Sequence, residues 1–184
     1  MTSSADIRLR ALEPEDLELI YRIENDPSFW QFGCATVPYS RYAIRQYLET
    51  TANDLFKDEQ VRLVIEYQSE GEPATAVGLA DLFNFDAQHL RAEIGLAILP
   101  EHQGKHVGGA ALEALCAYAR TQHLHQLYAT IATTNKPATR LFERLGFKPS
   151  AVLTDWLRMD DGFMDAVVWQ QVICHHDDHL RDHR

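Results

Sequence analysis

Along this 184-residue chain, apolar residues either alternate with polar ones or recur at three- and four-residue spacing, and the pattern predicts a definite order of elements. Ile7-Arg-Leu-Arg-Ala11 alternates and predicts a short strand. Glu13-Pro14-Glu15-Asp16 then opens a helix, with proline in its first turn and acids at its positive end. Leu17, Ile20, Tyr21 and Ile23 follow at helical spacing until Asn25-Asp26-Pro27-Ser28 breaks the run. Ser40 is expected to cap a second helix reaching about Asn53, with Tyr42, Ile44, Tyr47 and Leu48 on its faces. Val61–Tyr67, Ala76–Phe83 and His89–Leu99 predict three strands of an antiparallel meander, with turns at Glu70–Pro73 and Asn84–Gln88.

The next stretch organises the rest of the chain. Pro100-Glu-His-Gln103-Gly104-Lys105-His106-Val107-Gly108-Gly109 leads from the third meander strand into a helix expected from about Gly108 to Thr121. Ala111, Leu112, Leu115, Tyr118 and Ala119 form the buried stripe of that helix. A strand, a glycine-containing loop and a helix start together present unpaired backbone N–H groups and a positive dipole end, which suits a phosphate or pyrophosphate. Neither the Walker pattern nor G-x-G-x-x-G is present, so a plain glycine-softened connection stands as the other reading. Gln126–Thr133 predicts a further strand. Asn135-Lys-Pro137-Ala138 caps and opens a short helix to Leu145, and Gly146 ends it. Ala151–Arg158 and Phe163–Val172 predict a final hairpin turning at Asp160-Asp161-Gly162.

Composition narrows the function classes. A formal net charge of −10 argues against a nucleic-acid surface and is compatible with a cationic or neutral substrate, or with solubility alone. Cys34, Cys116 and Cys174 are sparse, odd in number and form no C-x-x-C pair, which fits a reducing cytoplasm. Cys116 falls on the apolar helix and reads as core, whereas Cys34 falls in a loop-like stretch. No signal peptide and no membrane-length apolar run is read. The length suits one domain over residues 1–173, followed by a polar tail, 174–184. In that tail His175, His179 and His183 recur at i, i+4 spacing. That spacing suits a metal on a helix, but a frayed terminus with no fixed supporting shell is the preferred reading, so no metal is expected.

The order β-α-α-β-β-β-loop-α-β-α-β-β, with Gln103-Gly-Lys-His-Val-Gly108 after the fourth strand and Asn135-Lys-Pro-Ala138…Leu145-Gly146-Phe147 after the fifth, resembles the GNAT superfamily of N-acetyltransferases. The resemblance spans about residues 7–173. Within the superfamily, Leu12-Glu-Pro-Glu-Asp-Leu17 and Arg91-Ala-Glu93-Ile-Gly95 look most like spermidine acetyltransferases and acetyltransferases of ribosomal-protein N-termini. It implies an α+β fold with a mostly antiparallel sheet of about seven strands flanked by helices. It also implies acetyl-CoA as co-substrate, with a primary amine (a small amine, a polyamine or a peptide N-terminus) attacking the thioester directly. Homodimers are common in the family.

By position, the pyrophosphate is expected on backbone amides of Gln103, Gly104, Lys105, His106, Val107, Gly108 and Gly109, and the pantetheine arm along Leu96, Ala97 and Ile98, beside a slot opened by the fifth strand near Ala129–Ala132. Asn135 and Phe142 contact the cofactor from the next helix. Glu93 is the candidate base, with a structural carboxylate as the other reading, and Trp30, Phe32, Tyr39, Asp81 and Trp156 are candidate acceptor-lining residues. Two positions depart from the family. His106 stands where glycine is usual, which limits positive φ and either touches a phosphate or points to solvent. Phe142 stands where many relatives carry the tyrosine that protonates the leaving thiolate, which leaves water, the departing ammonium proton or Tyr128 for that role. The alternative is therefore a catalytically weak or silent CoA-binding module.

Overall fold

A computed structural model describes residues 6–30, 37–159 and 162–173, with the backbone alone at Trp30. The elements are β1 Asp6–Arg10, α1 Leu17–Glu24, α2 Pro27–Trp30, α3 Arg41–Thr50, α4 Leu55–Asp58, β2 Val61–Gln68, β3 Thr75–Asp86, β4 Arg91–Ile98, α5 Val107–Thr121, β5 Gln126–Ala132, α6 Lys136–Arg144, β6 Lys148–Met159 and β7 Gly162–Val172. The signals at Ser40, Asn135 and Gly146 act as read, whereas Pro14–Asp16 forms a separate 3-10 turn ahead of α1. Ser40 Oγ accepts from the Ala43 amide, Asn135 Oδ1 accepts from the Ala138 amide, and Gly146 ends α6 at φ +86°. The one-turn helices α2 and α4 carry too few residues to show a period. Residues 160–161 of the expected turn, Phe32, Cys34, Cys174, the tail histidines and the Trp30 side chain lie outside the described residues.

The strands form one seven-stranded sheet in the order β1-β2-β3-β4-β5-β7-β6. Every neighbouring pair is antiparallel except β4 and β5, which are parallel. This is the α+β class expected, with the predicted meander as β2–β4. The larger core lies between the sheet and α5 and α6. There Leu112, Leu115 and Ala119 of α5 meet Leu63, Ile65, Leu82, Ile94 and Leu127, and Phe142 of α6 stacks edge-to-face on Phe147 with centroids 4.9 Å apart. Cys116 is buried there, as expected, and burial pushes its thiol up to about 11, so it is no nucleophile at neutral pH. A smaller core on the other face joins Ile20 and Ile23 of α1 and Ile44 of α3 to Val64, Leu79 and Leu99.

The departure from regularity that matters is in the middle of the sheet. The β4–β5 ladder holds only at Arg91–Gln126, Ala92–Leu127 and Glu93–Tyr128. Beyond that rung β4 stays paired to β3 and β5 to β7, but no longer to each other. A slot opens between Ile94–Ile98 and Ala129–Ala132.

Candidate active site

At the wide end of the slot, β4 runs through a short 3-10 turn, Pro100–His102, into the loop before α5. The Gln103 side chain folds back to donate from Nε2 to the Ile98 carbonyl at 2.8 Å, tying the loop to the strand end. Gly104 at φ +74° and His106 at φ 62° then turn the chain into the helix, which receives no side-chain cap. The Ala110 amide is the first to bond back, to the His106 carbonyl at 3.3 Å. The amides of Val107, Gly108 and Gly109 therefore face out of the helix end without an intrahelical acceptor, at its positive pole.

The αL backbone at position 106 accounts for the glycine expected there and shows that histidine adopts the same turn. A left-handed residue with a Cβ costs about 1–2 kcal/mol, and glycine's freedom in the unfolded chain returns about 0.5–1 kcal/mol of the relief. His106→Gly is therefore expected to stabilise the fold by about 0.5–1 kcal/mol, read from the denaturant midpoint. A loss of stability would mean that the imidazole makes contacts that outweigh the strain.

Side chains of neighbouring elements also come close to the paired glycines 108 and 109. A Cβ at Gly108 would lie 3.4 Å from Ile98 Cδ1 and from Leu141 Cδ2, and one at Gly109 only 2.7 Å from Arg144 Nη2. It is α6 that approaches the helix start here, bringing the exposed Arg144 beside the first turn of α5. Asn135 spends its Oδ1 on capping α6, which leaves its amide nitrogen for other partners.

At the narrow end, Glu93 and Tyr128 form the last rung. Asn84, from the irregular end of β3 at φ 49°, donates Nδ2 to Glu93 Oε2 at 2.9 Å. Burial first and the neighbouring Glu93 second push the Tyr128 hydroxyl above the ordinary tyrosine value, so it keeps its proton across the neutral range. The face shared by Glu93 and Asp81 is the α1 side of the sheet. A Cβ on Gly95 would lie 3.3 Å from both Asp81 Cβ and Phe83 Cε1, so those two side chains lie over Gly95.

The other candidates divide. Phe142 is 5 % exposed and packed in the main core. Asp81 gives both oxygens to Arg62, at 2.9 and 3.0 Å. Tyr39 exchanges two backbone bonds with the side chain of Asn25, at 2.8 and 3.0 Å. Trp156 is 59 % exposed on β6, at a register shift where Asp155 takes φ 49°, with β7 and β5 between it and β4. Asn84 and the side-chain direction of Tyr128 were beyond sequence reasoning, because both depend on which strand ends meet. No group of three or more His, Cys, Asp or Glu able to hold a metal occurs among the described residues, nor a helix long and apolar enough to cross a membrane.

A parallel pair splaying beside an uncapped helix start defines an acyl-CoA-binding sheet, and comparison with known proteins agrees. Residues 6–148 match the family described as acetyltransferase (GNAT) domain, and the chain belongs to that family. It is an acetyl-CoA-dependent N-acetyltransferase. It is 27 % identical over 168 residues to spermidine N(1)-acetyltransferase of Escherichia coli K12, covering 91 % of this chain and 86 % of that one. Over 94 residues, half of this chain and 48 % of the other, it is 33 % identical to the ribosomal protein uS5-alanine N-acetyltransferase of the same organism. Its fold resembles spermidine N-acetyltransferase from Vibrio cholerae, solved with CoA and spermine, at TM-score 0.78 and 26 % identity over 90 % of this chain and 95 % of that one. A dodecameric form of the Vibrio enzyme matches at TM-score 0.74 and 25 % identity, over 97 % and 98 % of the two chains.

Proposed function

We propose that the protein acetylates a cationic primary amine of the polyamine class, with peptide N-termini as the competing acceptor, and that Glu93 and Tyr128 carry the proton transfers. The reading rests on one observation above all: the slot begins directly after the Glu93–Tyr128 rung. A thioester arm lying along Leu96–Ile98 then ends beside the carboxylate and the hydroxyl. The amides of Val107–Gly109 and their neighbours from Gln103 receive the pyrophosphate, with Asn135 at the slot's far wall. The bound thioester supplies an activated acetyl carbonyl.

Glu93 takes the proton that the substrate ammonium must lose, directly or through one water, so that the nitrogen lone pair is free to attack. As the C–N bond forms and the C–S bond breaks, Tyr128 stands as proton donor to the departing sulfur, since Phe142 has no proton to give. A thiol of pKa near 8.5 needs only modest help, which is why a phenylalanine at 142 is compatible with turnover. Around Arg62 the carboxylates of Glu24 and Asp81 outnumber the guanidinium two to one, which supports a cationic acceptor.

Two further parts of the reading concern the protein as a whole. The edge hairpin β6–β7 exposes Val152, Trp156 and Phe163, and supports pairing with a second copy along β6. Sparse cysteines support a cytoplasmic setting, and the domain is taken to extend over residues 1–173.

The test is CoA thiol release over a panel of polyamines, monoamines and N-terminal peptides. Steady release with polyamines, and little with peptides, is the expected result. Binding of acetyl-CoA with no release for any amine of the panel would overturn the proposed acceptor class.

A further inference from the structure

Three residues far apart in sequence meet on the acceptor face. The Arg62 guanidinium gives Nε and Nη2 to the two oxygens of Asp81, at 2.9 and 3.0 Å, and Nη1 to Glu24 Oε1 at 2.7 Å. Its side chain is only a quarter exposed, and the two carboxylates are about equally enclosed. Each contact fixes a different part of the site. Glu24 is the last residue of α1, and its neighbour Asn25 holds the backbone of Tyr39 with two hydrogen bonds. Asp81 lies over Gly95, two residues beyond Glu93 on the strand that borders the slot. Arg62 itself exchanges two backbone bonds with the side chain of Asn53, both 2.8 Å, which keeps its end of β2 in place.

We propose that Arg62 is a positioning residue for the acceptor: by gripping Glu24 and Asp81 at once it sets the end of α1, and with it Tyr39, against the Gly95 face of β4. The proposal rests on the reading that the amine reaches Glu93 from this face. An attacking nitrogen must arrive within about 3–3.5 Å of the carbonyl carbon, and a 1 Å error in its approach costs on the order of a hundredfold. One guanidinium that spans two carboxylates is a short, stiff way to fix that approach, because its fork has two contacts for one partner and a third for the other.

Lysine separates positioning from charge. It preserves the positive charge but, as a single point donor, cannot hold Asp81 by two parallel bonds and Glu24 by a third. If the cluster acts only through its charge, Arg62→Lys behaves as wild type. If it positions the acceptor, Arg62→Lys raises the polyamine KM roughly tenfold or more while the acetyl-CoA KM stays within about twofold. Glu24→Gln keeps an acceptor for Nη1 and should shift the polyamine KM in the same direction by less.

Hydrogen exchange supplies a readout that does not need turnover. In Arg62→Lys the Tyr39 amide, held by Asn25, should lose protection, while the amides of α5 from Ala111 to Ala119 keep theirs. Unchanged polyamine KM with a lowered melting temperature would overturn the proposal and leave Arg62 as a purely structural ion pair. So would unchanged exchange at Tyr39. A wild-type protein that releases no thiol with any amine fails the proposed function instead, and the exchange result then decides whether the clamp exists.

Discussion

Glu93→Gln is expected to lower kcat with a polyamine by about a hundred- to a thousandfold at pH 7.4, the range of a lost general base acting on a strongly basic amine. The size follows from the acceptor. An alkylammonium with a pKa near 10.4 is neutral in only about one molecule per thousand at that pH, so an enzyme without a base must wait for the rare neutral form. The sign of the pH dependence follows too. The variant's rate should climb close to tenfold per pH unit through the neutral range, and the gap to wild type should narrow as pH rises toward the amine pKa. Glutamine is isosteric and can still accept from Asn84 Nδ2, so the fold should be unperturbed, and the melting temperature provides that control. Undiminished kcat at pH 7.4 would remove Glu93 from the chemistry and leave it as the partner that holds Asn84 and Tyr128.

A methyl group at Gly78 is expected to be the most damaging small substitution in the sheet. Its Cβ would overlap the Ala97 carbonyl and lie 3.1 Å from Ile98 Cα and 3.2 Å from Ile65 Cδ1. Two of those obstacles are backbone of β4, across from Gly78 in the ladder, and cannot swing aside as a side-chain end can. Gly78→Ala should therefore cost about 3 kcal/mol, the upper part of the usual overpacking range. For a chain of this size that lowers the melting temperature by about 6–12 °C. Because the strand displaced is the one proposed to hold the pantetheine arm, calorimetric CoA affinity should fall as well. Gly71→Ala is the comparison. There φ is +81° with no atom within 4 Å, so only backbone strain of about 1–2 kcal/mol is at stake, and CoA binding should be untouched. Equal melting losses at the two positions would show that β4 yields to the methyl group.

The contrast between these two glycines marks what could be read in advance. Gly71 sits in a turn announced by Glu70-Gly71-Glu72-Pro73, and local chemistry was enough. Gly78 sits inside a strand pattern, next to a bulge: the β2–β3 register slips between Ile65 and Glu66, leaving Val77 without a β2 partner, and its carbonyl accepts from the Leu99 amide at 2.9 Å instead. Strand and helix order was legible because alternation, capping residues and the terminating Gly146 are local signals. Strand ends were not. β6 begins at Lys148 and runs through Pro149, three residues before the expected start, because it is an edge strand where a missing N–H is tolerated. The same limit applies to the site. Gln103–Gly109 and Asn135 stand in motifs, but residues 24, 62 and 81 form a cluster only because α1, β2 and β3 bring them to one spot. Likewise Phe142 could be seen as lacking a proton, whereas the alternative donor Tyr128 needed the parallel register to place it beside Glu93.

The parting of β4 and β5 gives this sheet four borders instead of two. Besides the outer ones at β1 and β6, it has a pair facing each other in its interior, and their peptide groups must be satisfied by water when the slot is empty. On the proposed placement, acetyl-CoA is the missing strand as well as the acetyl donor. A ligand present at a hundred times its dissociation constant adds about 2.7 kcal/mol to the folded state. In a cell that margin separates a protein that proteases rarely catch open from one they catch often. Saturating acetyl-CoA is therefore expected to slow proteolysis of this enzyme, read as the digestion rate with and without the ligand.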